Sequence, residues 1–242
     1  RHYHIIEKKM KNFTIIIPIF NETDSIFTLV DEIKKEFKGQ IPEIIIVDDG
    51  STDNFVEKMI NFNKNNLRVI HHKKNMGKCR AMLTGIKESK KKNICIIDGD
   101  GQNPPYEAKK LMSFWTNLNE SEKKFALVCG NRIKRQDSIS KKVSSKVANK
   151  IRKIMLDDDC NDTACALKVF SKQDYLRLNY FTNMHRFLPA LFKINSGKIF
   201  NIPIDDRKRN KGISKYSFHN RFWVGILDLL RVWLMVLKRR RK

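Results

Sequence analysis

The chain has 242 residues and a mass of 28.5 kDa, with 41% hydrophobic and 31% charged residues; that is enough apolar material for one large domain and excludes a mainly disordered chain. Ten glycines and six prolines exclude collagen-like and low-complexity architectures. A net charge of +23 and an isoelectric point near 9.9 point to a polyanionic partner, whether nucleic acid, an anionic membrane surface or a phosphorylated substrate; a lysine bias spread over solvated faces is the alternative.

Residues 1–11 read as a tail, with Met10 a candidate natural start. RHYHIIEKKMKN lacks the apolar region of a signal peptide, and no run of eighteen apolar residues exists, so a cytoplasmic chain without an ordinary spanning helix is expected. The five cysteines are odd in number and form no C-x-x-C, which predicts reduced, mostly buried thiols. FTIIIPIF (13–20) reads as a buried strand. Ile26, Leu29, Val30, Ile33 and Phe37 then predict a helix over 23–38, capped by Asn21 or Thr23. EIIIVDD (43–49) is a second strand, followed by a helix start at Ser51–Thr52–Asp53. LRVIHH (67–72), NICIID (93–98) and FALVCG (125–130) are three more, separated by a helix over 76–89 and one opened by Pro104–Pro105. Strands alternating with helices predict an α/β fold with a doubly wound, mostly parallel sheet.

Ligands bind such sheets beyond the carboxyl ends of the strands. The polar clusters stand there: Asp48–Asp49–Gly50–Ser51, Asp98–Gly99–Asp100–Gly101–Gln102 and Gly130–Asn131–Arg132. Each alone could be turn or cap chemistry; three at neighbouring strand ends argue for a site. No G-x-G-x-x-G follows the first strand, and Gly77–Lys78 and Gly197–Lys198 lack the Ser or Thr of a P-loop. Asp98 and Asp100 instead offer hard oxygen ligands to Mg²⁺ or Mn²⁺, which shares its shell with substrate phosphates.

PIFNE (18–22), VDDGSTD (47–53), DGDGQNPP (98–105) and GNR (130–132) resemble the inverting, family-two glycosyltransferases of GT-A fold. DTACALKVF (162–170), MHRFLPAL (184–191) and R-x-x-G-x-S-K-Y (Arg209 to Tyr216) resemble the dolichyl-phosphate mannose synthase group, whose bacterial members act on polyprenyl phosphate. The resemblance runs from about residue 12 to 238 and implies a GT-A domain over 12–216, with 217–242 as helix and basic tail. It implies transfer of a sugar from a GDP- or UDP-linked donor to polyprenyl phosphate, giving a lipid-linked sugar for cell-envelope glycan or lipid A modification. By position, Pro18, Phe20, Glu22, Asp49 and Lys78 would bind the donor. Asp98, Asp100 and Gln102 would surround the metal. Arg132 would face the reacting phosphates, Arg209 and Lys215 would close over the donor, and Lys141 and Ser145 would join Arg132 at the acceptor phosphate.

The chemistry suits this implication. Metal and cationic side chains stabilise a leaving nucleoside diphosphate. A phosphate monoester, with a second pKa of about 6, attacks without a strong general base, so no catalytic histidine is required. His185 reads as structural, and Asp162 either orients a group at the acceptor site or caps a turn. Cys79, Ala164 and Ala166 replace glycines common in the family, a costly change wherever φ is positive.

The terminal segment adds a second line of argument. Arg221, Gly225, Asp228, Arg231 and Lys238 form one polar stripe on a helix whose other faces are apolar. Its apolar run is about 24 Å long, short of a hydrocarbon core of about 30 Å. An interfacial helix is expected, with Trp223 and Trp233 near headgroups and KRRRK on anionic lipid at the inner membrane's cytoplasmic face. The basic stretch Lys134 to Lys153 would add to that attraction. A core or dimer-interface helix, or a separate integral membrane protein as partner, are the alternatives. A glycan acceptor is the competing enzymatic reading. A basic nucleic-acid-binding protein is the competing non-enzymatic one; it explains the charge but not D-x-D at a strand end, and no nucleic-acid partner is expected.

Overall fold

The computed structural model describes residues 10–60, 62, 65–133, 152–207 and 218–240, the last stretch with side chains from 226 to 239. Among these residues seven strands form one sheet: β1 (Phe13–Ile19), β2 (Glu43–Asp48), β3 (Leu67–His71), β4 (Asn93–Ile96), β5 (Leu127–Arg132), β6 (Lys168–Ser171) and β7 (Ile199–Ile204). Their order is β3-β2-β1-β4-β6-β5-β7. β6 runs antiparallel to both β4 and β5, and the other pairs are parallel. Helices α1 (Thr23–Glu36), α2 (Phe55–Ile60), α3 (Lys78–Glu88), α4 (Pro105–Asn117), α5 (Glu120–Lys123), α6 (Lys172–Leu176), α7 (Leu188–Ile194) and α8 (Phe218–Arg240) surround it.

The apolar runs of the strands are explained by burial on both faces. Ile15, Ile17 and Ile19 join a core with Ile26, Leu29 and Ile33 of α1 and Leu111 and Trp115 of α4. The intervening Ile16, with Ile45 and Val47, joins a second core with Met82 and Ile86 of α3, Phe192 of α7 and Val232 of α8. Alternate side chains of one strand thus weld two helical layers to the sheet, and each fully buried Ile contributes roughly 1.5–3 kcal/mol. At Gly85 the helix α3 comes so near β1 that an added Cβ would stand 2.7 Å from Ile16 Cγ2.

Two strands escape the sequence reading. β6 is four residues long and opens on a lysine. β7 contains Pro203 and stays only half-buried. Proline is tolerated because β7 is an edge strand, paired with β5 alone. β5 starts at Leu127, two residues later than expected, because Phe125 has φ 51°. α2 starts at Phe55, beyond Ser51–Thr52–Asp53.

The terminal helix α8 also differs from expectation. Val232 and Val236 are buried, and Leu229, Trp233 and Met235 pack against the second core, so Trp233 faces the domain. Asp228 accepts a hydrogen bond from Asn183 Nδ2 at 3.1 Å, and Arg231 lies 4.7 Å from the centre of the Phe181 ring. That part of the polar stripe therefore meets the protein. The outward residues are Leu227, Leu230 and Leu234, 68%, 41% and 55% exposed. No helix of the described residues is long and apolar enough to cross a membrane.

Candidate active site

The carboxyl ends of β1 and β2 are zipped together by their loops. Asn21, at φ 55°, donates its N–H to Ser51 Oγ at 2.8 Å and accepts from Thr52 N at 2.6 Å through Oδ1. Thr23 N donates to Asp53 Oδ2 at 2.9 Å. The first turn of α1 is therefore capped from the neighbouring strand end. The cap expected from Asn21 or Thr23 is absent; Glu22 occupies the N-cap position without a side-chain bond.

The paired aspartates face inward. Asp48 accepts from Ser51 N at 3.0 Å and lies 3.0 Å from His71 Nδ1. Asp49 accepts from Met76 N at 3.0 Å and Gly77 N at 2.7 Å, and lies 2.7 Å from His72 Nδ1. Both carboxylates are buried. Asp49 thus fixes the turn at Gly77, whose φ of 88° suits glycine, and through it the first residue of α3, Lys78. Lys78 forms an ion pair with Asp98 just past β4.

That pair opens on a cavity of about 710 Å³ whose lining includes Phe20, Lys78, Asp98, Lys168, His185 and Arg186. The next residues of the Asp98 loop lie beside it. Asp100 Oδ1 accepts from Gln102 N at 3.1 Å. Ser25 Oγ donates to Gly99 O at 2.7 Å, and Arg207 donates to Gly101 O while its fork grips both oxygens of Glu32, at 3.1 and 2.6 Å. The loop carrying both aspartates is thereby pinned to α1. Among the described residues no group of three His, Cys, Asp or Glu forms a metal cage. Two carboxylates on a short loop suit a hard cation that completes its shell with water and diphosphate oxygens.

Arg132, at the end of β5, donates to Asp162 from Nε at 2.7 Å and from Nη2 at 3.0 Å, with Nη1 3.6 Å from Asp206. Burial opposes its charge, but the hydrogen bond and charge of Asp162 outweigh that and raise the guanidinium pKa. Asp162 therefore holds Arg132. Cys79 is buried in α3 with its Sγ accepting from His185 N at 3.2 Å and lying 3.0 Å from His185 Nδ1. Burial raises the Cys79 pKa and pushes that of Cys165 up to about 11, so neither is built as a nucleophile. Ala164 and Ala166 do not have positive φ, so their replacement of glycine carries no backbone strain.

The structure brings Phe20, Lys78 and Asp98 together on the cavity, with Asp100 and Gln102 on the adjoining loop. Pro18 is buried in β1 opposite Val47, and Glu22 starts α1. Asp49 sits behind the turn at Gly77, and Arg132 points to Asp162. Lys141, Ser145, Arg209 and Lys215 lie outside the described residues. Of the basic stretch ending at Lys153, Arg152 is buried, 3.5 Å from Asp158 and donating to Cys160 O at 2.8 Å; it is no surface charge. Lys168 and Arg207 were missed by sequence reasoning. A lone lysine in the apolar run ALKVF was the available signal for the first.

Residues 14–178 match the family model for glycosyl transferase family 2. The chain is 31% identical over 227 residues to the dodecaprenyl-phosphate galacturonate synthase of Rhizobium johnstonii, a match covering 90% of this chain and 65% of that protein. It is 28% identical over 216 residues to the undecaprenyl-phosphate 4-deoxy-4-formamido-L-arabinose transferase of Proteus mirabilis, covering 87% and 64%. The chain thus spans a little under two thirds of the length of these curated relatives. Among solved structures it is similar to glucosyl-3-phosphoglycerate synthase from Mycobacterium tuberculosis with UDP, at TM-score 0.68 and 17% identity over 96% of this chain and 81% of that one. The same enzyme with Mn²⁺, UDP and glucosyl-3-phosphoglycerate gives a TM-score of 0.66, again at 17% identity, with 96% and 81% covered. These likenesses show a shared fold.

Proposed function

The chain belongs to glycosyl transferase family 2, and from that membership we propose that it transfers a sugar from a GDP- or UDP-linked donor to polyprenyl phosphate with inversion at the anomeric carbon. The observation that carries this reading is the cavity of about 710 Å³ at the carboxyl end of β4, with Lys78 on Asp98 at its wall and Asp100 two residues further on. The names of both curated relatives place their chemistry on a polyprenyl phosphate, which supports the same acceptor here.

Lys78 would meet a donor phosphate, and Asp49 would keep Lys78 in place through Gly77. Phe20 would face the nucleotide, with Pro18 and Glu22 supporting that loop. Asp98, Asp100 and Gln102 would hold Mg²⁺ or Mn²⁺; when bound, the metal neutralises charge on the departing diphosphate. An acceptor phosphate oxygen forms the new bond to the anomeric carbon, and the bond to the nucleoside diphosphate breaks with its electron pair. Arg209 and Lys215, following the Arg207 anchor, would close over the donor. Arg132, held by Asp162, would lie on the acceptor side with Lys141 and Ser145. The outward leucines of α8, followed by Lys238 and its basic neighbours, would rest on an anionic membrane surface, where each basic residue contributes about 1 kcal/mol.

A donor screen tests this reading. The protein is incubated with undecaprenyl phosphate, Mg²⁺ or Mn²⁺ and GDP- or UDP-linked sugars, and the extracted lipid is weighed by mass spectrometry. A product heavier by one sugar is expected with at least one donor. Sugar found only on a water-soluble glycan would overturn the acceptor assignment.

A further inference from the structure

We propose that Lys168 and Arg186 form a phosphate subsite that receives the monoester of the acceptor lipid; this rests on reading the cavity as a glycosyl-transfer site. Lys168 is 3% exposed, and among the described residues its ammonium donates to the backbone carbonyls of Cys165 and Thr163 and lies near the thiols of Cys129, Cys160 and Cys165, with no carboxylate on it. Arg186 is half-buried on the same cavity, and among the described residues its guanidinium makes no hydrogen bond or ion pair. Neither has a carboxylate within ion-pair distance among the described residues. Lys78, Arg132, Arg152 and Arg207 each face one. A cation kept from water without a counter-charge is costly, and an anionic ligand removes that cost.

Charge balance supports a second anion. Among the described lining residues Asp98 is the single carboxylate, against Lys78, Lys168 and Arg186. Asp98 and Lys78 balance each other, which leaves two cations over. Lys168 opens β6 opposite Ile96, two residues before Asp98, so the pair stands near the reacting end of the donor. It comes, however, from the chain beyond β5, whereas Lys78 and Asp98 come from the β1–β4 half. Inversion needs the attacking group on the face of the sugar away from the departing diphosphate, so two anions need two holders.

The location favours a lipid source for that anion. Arg186 lies three residues after Asn183, which also lines the cavity and is bonded to Asp228 of α8. The outward leucines of α8 flank that contact. An apolar chain lying along α8 would deliver its phosphate to this segment. The phosphate oxygen then bonds to the anomeric carbon as the nucleoside diphosphate departs, and the monoester, ionised with a second pKa of about 6, has no proton to lose.

The test uses Arg186→Gln and Arg186→Lys in the full chain, with Lys168→Met as the buried counterpart. Rates against undecaprenyl phosphate are measured at saturating donor, donor-nucleotide affinity is measured by calorimetry with Mn²⁺, and decyl phosphate is titrated as a binding probe. Arg186→Gln should raise the acceptor KM and the decyl phosphate Kd at least tenfold, leave nucleotide affinity within twofold, and be partly rescued by Arg186→Lys. An unchanged acceptor KM, or an equal loss of nucleotide affinity, would overturn the subsite while leaving the transfer reaction standing. Decyl phosphate binding that depends on Arg186, without sugar transfer to undecaprenyl phosphate by the unaltered protein, would retain the subsite and overturn the proposed reaction instead. Should Lys168→Met fail to fold, Arg186→Gln alone decides.

Discussion

Lys78 and Asp98 are ion-paired at the wall of the cavity, one from the first turn of α3 and the other from just past β4. Each side chain is about one-third exposed, 29% and 32%, so the pair is screened and contributes little to stability. Lys78→Met should therefore leave the thermal midpoint within a few degrees while lowering kcat/KM for the nucleotide-sugar at least tenfold. A large loss of stability with intact turnover would assign the pair to folding instead.

Arg132 and Asp162 behave in the opposite way, because both are largely buried and joined by two short hydrogen bonds. Asp162→Asn leaves a charged guanidinium with Asp206, at 3.6 Å, as its remaining carboxylate among the described residues. A cost of about 3 kcal/mol is expected, read by urea denaturation. A cost below about 1 kcal/mol would mean that Asp162 does not hold Arg132 in solution.

Burial lifts the Cys165 thiol from its ordinary value of 9.0 to about 11. In the folded chain it stays protonated where the unfolded chain already ionises. Its contribution is therefore complete below pH about 9 and is lost as pH rises toward about 11, at up to about 1.4 kcal/mol per pH unit. Urea midpoints of Cys165→Ala should fall less steeply than those of the unaltered protein between pH 9 and 11. Parallel profiles would contradict the assignment.

Leu227, Leu230 and Leu234 are exposed on α8, whereas Val232 and Val236 are buried. Replacing the three leucines by Gln should reduce co-sedimentation with vesicles containing anionic lipid several-fold and leave the unfolding midpoint nearly unchanged. Val232→Asp should instead destabilise the domain, since it buries a charge beside apolar neighbours. Undiminished vesicle binding by the triple variant would remove the membrane role of this face.

Much of the sheet and its helical layers is legible in the sequence. Ile15 to Ile17 and Ile44 to Ile46 announce doubly buried strands, and D-x-D at Asp98 and Asp100 announces the loop whose first aspartate lines the cavity. What escaped depends on long-range contacts. β6 is a short insertion held by β4 and β5, and β7 hides a strand behind Pro203. The inward turn of Asp49 depends on Gly77, twenty-eight residues away, and the role of Asp162 depends on Arg132 thirty residues earlier. On α8 apolar residues surround a narrow polar stripe, so periodicity put Trp233 at the headgroups, whereas it packs against the second core.

The most direct measurement follows radiolabelled sugar from its nucleotide donor into the organic phase with undecaprenyl phosphate and Mn²⁺, for the unaltered chain and for Asp100→Ala. Label should enter the lipid with the unaltered chain, vanish on chelation, and fall at least a hundredfold with Asp100→Ala while the circular dichroism spectrum is retained. Equal transfer by Asp100→Ala in the presence of EDTA would contradict the assignment of the reaction to the Asp98–Asp100 loop.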